Sequence, residues 1–421
     1  MGLAAWGYGT GATTAAAHPF SLTIQGIDMI DAVPRDSISV STSLASNATM
    51  DFTIEDRDNS IVIPSGYADV LLTEHAVASA LMAFEPTAFE PTAFEVSAGT
   101  VPTDQILFSG LIIGTEITSL GIGRMIGVRC VDYGYLLDSR NFHPPLAWGG
   151  GSTGDVDPIV QRYCAAGLPG PITAMAASPS NGSPSGDRRV SLPGWILGAG
   201  QTEQGGTLRG ALGNLADNFY NISLLPDYMG AASDVAIYVD PERRLNVWPL
   251  TGNAGAAPKT IVETAPAANE VNAENVTAQI DYTQVRSHIW ITDSGTEGSD
   301  YSLKVAGSVA DTNGYEIEGS GASLDYDDWD NPSRSGWVRL GPADSARIRG
   351  SFSIIGTTNW RIGQLVTITN AGCGLLADTF LIHAVSTDFL GGSVRRCRVE
   401  FGGIRASASR ATRTLIARAS A

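Results

Sequence analysis

Lysine, long apolar runs and charged residues in general are scarce in this chain of 421 residues. Lysine occurs only at Lys259 and Lys304, charged residues make up 16% of the sequence, and the formal net charge is −17. Binding to nucleic acid of any sequence depends on basic side chains that neutralise phosphates, so we expect no stable nucleic-acid binding. No stretch approaches the roughly 18 consecutive apolar residues that a membrane-spanning helix requires, so we expect no membrane insertion.

The sequence also lacks the cysteine and histidine spacings of metal and redox sites. No two cysteines form a C-x-x-C pair, which argues against a zinc ribbon or a redox motif and favours reduced, packed thiols. No histidine lies in an H-E-x-x-H or C₂H₂ spacing, so we interpret the histidines as core or surface residues. We therefore assign no catalytic residue, metal or cofactor to them. The residues concerned are Cys130, Cys164, Cys373, Cys397, His18, His75, His143, His288 and His383.

Glycine, proline and alternating apolar residues are abundant, and they predict many short strands joined by tight turns. The chain contains 48 glycines and 21 prolines, and 43% of its residues are hydrophobic. Apolar and polar residues alternate over 38–44 and 50–55, which predicts two half-buried antiparallel strands. The same alternation over 107–117, a Gly121/Gly123 turn and a returning strand at 126–130 predict a long hairpin.

The middle of the chain shows helical spacing instead. Apolar residues recur at i, i+3 and i+4 over 156–164, and again over 208–219 behind Thr207, which predicts two amphipathic helices. A hairpin is predicted over 235–249, with its turn at 240–244. Strand patterns return near 289–291, 360–368, 379–385 and 395–401.

We predict a β-rich (α+β) fold in which two tube-like antiparallel β-barrel or sandwich domains flank a small α+β domain. A length of 421 residues suits about three domains. The predicted segments are an N-terminal arm (1–19), a first β domain (20–140), the α+β domain (141–263), a second β domain (264–404) and a basic tail (405–421). An apolar strand, a glycine turn and a strand with arginine near cysteine occur at 107–130 and again at 380–398, which indicates an internal duplication.

An ordered set of segments resembles the hub-type minor tail proteins of long-tailed bacteriophages. The resemblance covers residues 20–140 and 235–403. The matching segments are SLTIQGIDMIDAV (21–33), MDFTIEDRD (50–58), ILFSGLIIGTEI (106–117), IGVRCVDYGYLLDSR (126–140), VAIYVDPERRLNVWP (235–249) and WRIGQLVTITN (360–370).

The resemblance implies a structural subunit of the tail tip that is not an enzyme. Hubs of this family are homotrimers in which each chain carries two tube-like domains, so that three chains present a pseudo-sixfold ring to the tail tube. It also implies a virion location after assembly in the host cytoplasm. The implied partners are further copies of the chain, the tail tube or distal tail protein, the tape-measure protein and other tail-tip proteins.

The two ends of the chain are candidate partner contacts. Residues 1–17 are mostly Gly, Ala and Thr with Trp6 and Tyr8, which predicts an arm that folds only on a partner. Residues Met1–Trp6 lack the basic start and apolar core of a secretion signal, so we expect a soluble protein that is made in a cytosol. The C-terminal tail contains Arg405, Arg410, Arg413 and Arg418 and no acidic residue, which suits contact with acidic neighbours.

Three motifs leave other functions open. Gly150–Gly154 matches G-x-S-x-G, but a Pro/Trp/Gly segment rather than a strand precedes it, which favours a linker over a hydrolase elbow. Asp325, Asp327 and Asp330 have the spacing of a calcium loop without its glycine and distal glutamate, so a solvated acidic loop is favoured. Asp325 and Asp327 are also the candidate acid pair of a cell-wall hydrolase.

Two further roles within a phage tail compete with the hub. One is a hexameric distal tail protein, which differs from a hub in its copy number. The second is a receptor- or glycan-binding tail protein, which differs in binding the host surface.

The segment 83–95 repeats Ala-Phe-Glu-Pro-Thr with a period of five, which fits neither a strand nor a helix. Its prolines interrupt both kinds of structure, so we predict an extended surface loop.

Overall fold

A computed structural model describes most of the predicted β segments. The described residues are 19–75, 104–142, 206–212, 235–249, 256–282, 287–292, 302–306, 315–320 and 347–402, together with short pieces between 154 and 221. Within these ranges, residues 45, 63, 65, 140, 211, 265, 357, 392 and 393 are not described. Within this part of the chain the fold is β-rich, as predicted.

The N-terminal strands are β1 (Phe20–Ile24), β2 (Ile27–Asp28), β3 (Ser39–Ser43), β4 (Thr49–Asp56), β5 (Asp69–Glu74), β6 (Gln105–Ser119), β7 (Arg124–Asp132) and β8 (Asn141–Phe142), with helix α1 at Tyr135–Ser139. The middle strands are β9 (Gly154–Asp155), β10 (Ala174–Met175), β11 (Trp195–Leu197), β12 (Gly206–Thr207), β13 (Phe219–Asn221), β14 (Val235–Val239) and β15 (Arg244–Pro249).

The C-terminal strands are β16 (Thr260–Ile261), β17 (Glu270–Val271), β18 (Glu274–Asp281), β19 (His288–Thr292), β20 (Ser302–Ala306), β21 (Glu318–Ser320), β22 (Arg347–Gly356), β23 (Leu365–Asn370), β24 (Leu375–Gly391) and β25 (Val394–Gly402). Short 3₁₀ helices lie at Ile30–Ala32, Arg35–Ser37 and Ala371–Cys373.

The predicted hairpin at 107–130 is confirmed as β6 and β7. Gly121 and Gly123 both have φ of +83°, a backbone conformation that glycine adopts without a steric penalty. Ile117 pairs with Ile126, and one extra residue bulges from β6 between Ile112 and Gly114. The hairpin predicted over 235–249 is confirmed as well, and the strands predicted at 379–385 and 395–401 are confirmed as the paired strands β24 and β25.

A large curled sheet contains strands from both predicted β domains. Its order is β17-β16-β23-β24-β3-β4-β7-β6-β5-β1-β2, with β25 and β22 continuing from β24 and β18 from β22. The pairing of β24 with β3 makes the sheet continuous. The predicted domain boundaries at 140, 263 and 404 stay a prediction.

The sheet contains one antiparallel unit twice. The first unit has the order β3-β4-β7-β6-β5, and the second has the order β18-β22-β25-β24-β23, with the strands in the same sequence order. All pairs within both units are antiparallel. The flanking pair β1 and β2 is antiparallel, whereas β16 and β17 are parallel, so the duplication is limited to five strands.

The register of the two units agrees residue by residue. Phe52 and Ile54 face Val128 and Ile126 on β7, and at the equivalent positions Phe352 and Ile354 face Val399 and Cys397 on β25. Cys130 and Cys397, which both lie near an arginine, are not equivalent in this register, because Cys130 occupies the position of Phe401.

The backbone around the bulges gives independent support. Ile112 exchanges hydrogen bonds with Tyr67 and Ala68, and Ile382 exchanges the same two bonds with Gly363 and Gln364. A bulge follows in both hairpins, after Ile112 and after Ile382. Residue 112 in the first unit is therefore equivalent to residue 382 in the second.

Each unit has its own apolar core. In the first, Met50, Ile54 and Leu72 are fully buried, and Phe352, Val366 and Phe380 are fully buried in the second. Phe389 of β24 belongs to the core of the first unit, so the second unit extends a side chain into the first.

Some strand predictions need correction. The strand expected from residue 360 begins at Leu365, because Gly363, with φ of +80°, makes a turn before it. The strand predicted near 289–291 is confirmed as β19, which pairs with β20 and β21 in a separate small sheet. The helix predicted over 156–164 lies outside the described residues. The helix behind Thr207 is confirmed for its first turn, where Thr207 Oγ1 accepts a hydrogen bond from Gly210 N at 3.1 Å. Within the described residues, no helix has the length and apolar character needed to cross a membrane.

Candidate interaction surfaces

The joint between the two units is a pairing of strand edges with side chains that fit. Ser39 Oγ donates to the Asp388 carboxylate at 2.9 Å, and the Ser41 and Ser386 hydroxyl oxygens are 3.4 Å apart. On the apolar side, the ring of Phe389 contacts Phe20 edge-on with 5.0 Å between centroids. Polar pairs on one face and an aromatic contact on the other fix the register of the joint.

A buried ion pair reinforces the joint. Arg395 Nη2 of β25 donates to Glu74 Oε2 of β5 at 2.9 Å, and the two side chains are 2% and 5% exposed. Burial raises the pKa of the Glu74 carboxyl, and Arg395 opposes that rise. The pair therefore links the two units, and removal of either partner would leave the other charge buried without its counterion.

The tip of the β14–β15 hairpin contacts both units. Ser109 Oγ donates to Pro241 O at 2.6 Å, and the Arg243 guanidinium lies 4.6 Å from the centroid of the Tyr133 ring. On the other side, Arg361 Nη2 donates to Glu242 Oε1 at 3.1 Å. The hairpin thus holds the first unit against the second.

Arg209 attaches the middle segment to the first unit. Its guanidinium donates to Asp138 Oδ1 at 2.8 Å, to Gly134 O at 3.1 Å, to Ile237 O at 2.7 Å and to Asn47 Oδ1. Arginine suits this position because its planar guanidinium presents five N–H donors in a fixed geometry.

We expect Arg209→Met to lower the free energy of unfolding by about 2 kcal/mol, because several partly buried acceptors lose their donor. Arg57→Met is the matched control, since Arg57 is 88% exposed and pairs only with the neighbouring surface residue Glu55 among the contacts described. The control should change stability by less than about 0.5 kcal/mol. Urea denaturation measures both, and equal midpoints for the two variants would argue against the attachment role.

Asp132 beside this cluster carries a strongly perturbed carboxyl. Burial raises its pKa to about 7, while the Ala48 N–H, which donates to Oδ2 at 2.8 Å, and Arg209 act in the opposite direction. A folded-state pKa above the ordinary 3.8 means that stability is lost as the pH rises from about 4 to about 7.

We expect Asp132→Asn to remove this part of the pH dependence. Asparagine is neutral at every pH, and its side-chain oxygen can still accept from the Ala48 N–H. Thermal unfolding at pH 5 and pH 8 measures the effect. The midpoint of the variant should fall less between these pH values than that of the natural chain, and parallel curves would refute the assignment.

An exposed apolar surface lies at the far end of the β6–β7 hairpin. Ile113 and Ile117 on β6 are 45% and 48% exposed, and Ile122 in the turn is 92% exposed. At the other extreme of the sheet, Ile280 of β18 is 41% exposed. Exposed apolar side chains grouped on strands are typical of surfaces that another chain covers.

The residues predicted as partner contacts or metal ligands lie outside the described part of the chain. These are Trp6, Tyr8, Asp325, Asp327, Asp330, Arg405, Arg410, Arg413 and Arg418. Residues 150–153 of the G-x-S-x-G match and the repeat at 83–95 lie outside it too. Among the described residues, no group of three or more His, Cys, Asp or Glu side chains could hold a metal ion.

The described cysteines are free thiols, and Cys130 and Cys397 are buried. Burial raises the pKa of Cys130 to about 12. Of the histidines, His75 pairs with Asp104 at 3.1 Å on the surface, and His383 Nε2 lies 2.8 Å from Gly402 O.

Sequence reasoning missed Arg209, Glu74 and Arg395. No local spacing connects Glu74 with Arg395, which are 321 positions apart. The available signal was the alternation of 395–401, which places the side chain of Arg395 on the same face as the apolar Cys397 and Val399.

The geometry defines a class: a strand-rich protein with a duplicated antiparallel unit and an inserted segment between the copies. Three of the solved structures that share this fold are tail proteins. They are the 43 kDa tail protein of prophage MuSo2 from Shewanella oneidensis (14% identity, 91% of this chain, 98% of that chain, TM-score 0.56), a tail protein from Neisseria meningitidis MC58 (12%, 91%, 96%, 0.55) and prophage tail protein gp18 from Listeria monocytogenes EGD-e (10%, 94%, 98%, 0.53).

The chain thus has the fold of these prophage tail proteins over nearly its whole length, which confirms the resemblance at the level of fold. No protein-family model and no curated protein matches the sequence.

Proposed function

We propose that this protein is a structural subunit of a phage tail tip, a tail hub in which three chains form a pseudo-sixfold ring. The observation that carries the proposal is the duplicated five-stranded unit within one chain. Three chains that each contribute two equivalent units form a ring of six units. A ring of six equivalent units can match a sixfold-symmetric tube even though the assembly itself is a trimer. The fold shared with prophage tail proteins supports the same role.

The ring joins the tail tube to the tip and lines the channel through which DNA is ejected. A channel wall that bound phosphates would retain the DNA, so a chain with a net charge of −17 suits this position. Its partners are the tail tube or distal tail protein, the tape-measure protein and other tail-tip proteins. The N-terminal arm with Trp6 and Tyr8 and the tail with Arg405, Arg410, Arg413 and Arg418 extend to these neighbours. The role is structural rather than enzymatic.

The test is the number of copies in each tail particle, measured by quantitative mass spectrometry against a tail protein of known copy number. We expect three copies. Six copies would indicate a distal ring protein instead. Glycan or host-cell binding by the isolated chain would favour a receptor-binding role, and a zymogram band that disappears in an Asp325→Asn/Asp327→Asn variant would favour a hydrolase.

A further inference from the structure

Strand β6 has an edge that pairs over only part of its length. On the side of β5, pairing covers residues 105–111 and ends at the hydrogen bonds between Ile112 and residues 67 and 68. Beyond Ile113, β6 pairs with β7 on its other side only, within the described part of the chain. Because alternate residues of an antiparallel strand direct their backbone groups to opposite edges, Thr115 and Ile117 present N–H and C=O groups on the side away from β7, to which another strand can bind.

The equivalent edge in the second unit is occupied. Residues 384–388 of β24 pair with residues 39–43 of β3, immediately beyond the segment that pairs with β23. Because Ile112 is equivalent to Ile382, residues 115–118 of β6 correspond to residues 385–388 of β24. The duplicated unit thus contains a second copy of the acceptor edge.

Strand β18 is the equivalent of β3. Val40 faces Met50 in the first unit, and Ala278 faces Gly350 at the same place in the second. In the described residues β18 pairs with β22 along one edge, and no strand pairs with its other edge at 277–280. In the first unit the corresponding edge of β3 binds β24.

We propose that β18 of one copy of the chain pairs with β6 of the next copy, in the register of the β3–β24 joint. This inference rests on the proposed ring and adds its interface. The partner is a second copy of this chain. The equivalences place Thr115 opposite Ile280, Glu116 opposite Gln279, Ile117 opposite Ala278 and Thr118 opposite Thr277.

The side chains in this register are compatible. Thr118 would face Thr277, at the position where Asp388 faces Ser39 in the internal joint. Glu116 would face Gln279, at the position where Ser386 faces Ser41. Both pairs can form hydrogen bonds across the strands, as the polar pairs of the internal joint do. In this register the exposed Ile117 lies opposite Ala278 of the neighbouring copy, and the exposed Ile280 lies opposite Thr115.

The two edges also make a closed assembly possible. Each chain provides one acceptor edge, on β6, and one donor edge, on β18, so every contact is head to tail. Around such a ring, the β3–β24 joint within each chain alternates with the β18–β6 contact between chains. Both contacts pair equivalent strands in the same register. Three chains then produce a ring of six units joined in one way.

Disulfide trapping tests the register. Residues 116 and 279 correspond to Ser386 and Ser41, which are directly opposed. The backbone hydrogen bonds from Leu44 N to His383 O and from Phe389 N to Ile38 O make this a non-hydrogen-bonded pair, the kind in which side chains approach most closely. In assembled tails, oxidised Glu116→Cys/Gln279→Cys should yield covalent dimers and trimers. Glu116→Cys/Ala278→Cys is the matched control, because a shift of one residue places the thiols on opposite faces, and it should cross-link about tenfold more slowly.

The outcomes separate this inference from the proposed function. If tails contain three copies but the 116/279 pair does not cross-link, or the 116/278 pair cross-links equally well, the proposed strand pairing is wrong and the trimer stands. If the 116/279 pair cross-links into species of more than three chains, the edge pairing is supported and the trimeric ring is refuted.

Discussion

Replacement of Gly110 by alanine is expected to lower the free energy of unfolding by about 3 kcal/mol, enough to reduce the yield of folded protein severely. Gly110 lies on β6 opposite Asp132, where the β7 backbone approaches closely. A Cβ atom at this position would be 2.8 Å from the Val131 carbonyl carbon and 2.9 Å from Asp132 Cα, and closer still to the Val131 oxygen. Because these atoms are backbone, they cannot move aside without breaking the hairpin.

Gly114→Ala is the matched control on the same strand. Its added Cβ would have only the Arg129 side chain within reach, at 4.0 Å, so the change in stability should stay below about 0.5 kcal/mol. Urea denaturation of both variants provides the comparison. Equal stability of the two variants would show that the close approach at Gly110 is not a constraint.

Arg395→Met is expected to lower the free energy of unfolding by about 3–5 kcal/mol at pH 7, the usual cost of leaving a buried charge unpaired. Arg395 and Glu74 are almost fully buried and join β25 to β5. Without Arg395, burial alone acts on Glu74, and the pKa of this carboxyl rises further above its ordinary value of 4.5.

The pH dependence has a defined sign. When the folded-state pKa of a carboxyl is raised, the folded protein loses stability as the pH rises above the pKa that the group has in the unfolded chain. The deficit of Arg395→Met should therefore be smallest near pH 4.5, where Glu74 can bind a proton, and largest at neutral pH. The double variant Glu74→Gln/Arg395→Met is the control and should recover most of the loss. A deficit that is constant with pH, or a double variant as unstable as the single one, would contradict the role of the pair.

Local patterns were sufficient for the hairpins. The alternation over 107–117 and the glycines at 121 and 123 predict β6, β7 and their turn, because strand period and positive φ are properties of neighbouring residues. The same reasoning missed β18 and β22. In β22 the sequence Arg347–Gly356 contains two glycines and two arginines, which obscure the alternation, although Phe352 and Ile354 occupy core positions.

The joint between the units was beyond sequence reasoning for a physical reason. Its pairs, such as Ser39 with Asp388, join residues that are 349 positions apart, and serine on an exposed strand face has no distinctive pattern. The duplication could be inferred from the hairpins, but their shared features, a glycine turn and an arginine near a cysteine, do not define which residues are equivalent. The register was established by the pairing of β4 with β7 and of β22 with β25, and by the backbone hydrogen bonds of Ile112 and Ile382.

A reconstruction of the tail tip without imposed symmetry tests the central proposal most directly. We expect three copies of this chain, six equivalent five-stranded units around one axis, and β18 of each copy beside β6 of the next. A ring of six copies that use one unit each, or one in which β18 and β6 of neighbouring copies lie apart, would contradict the proposal.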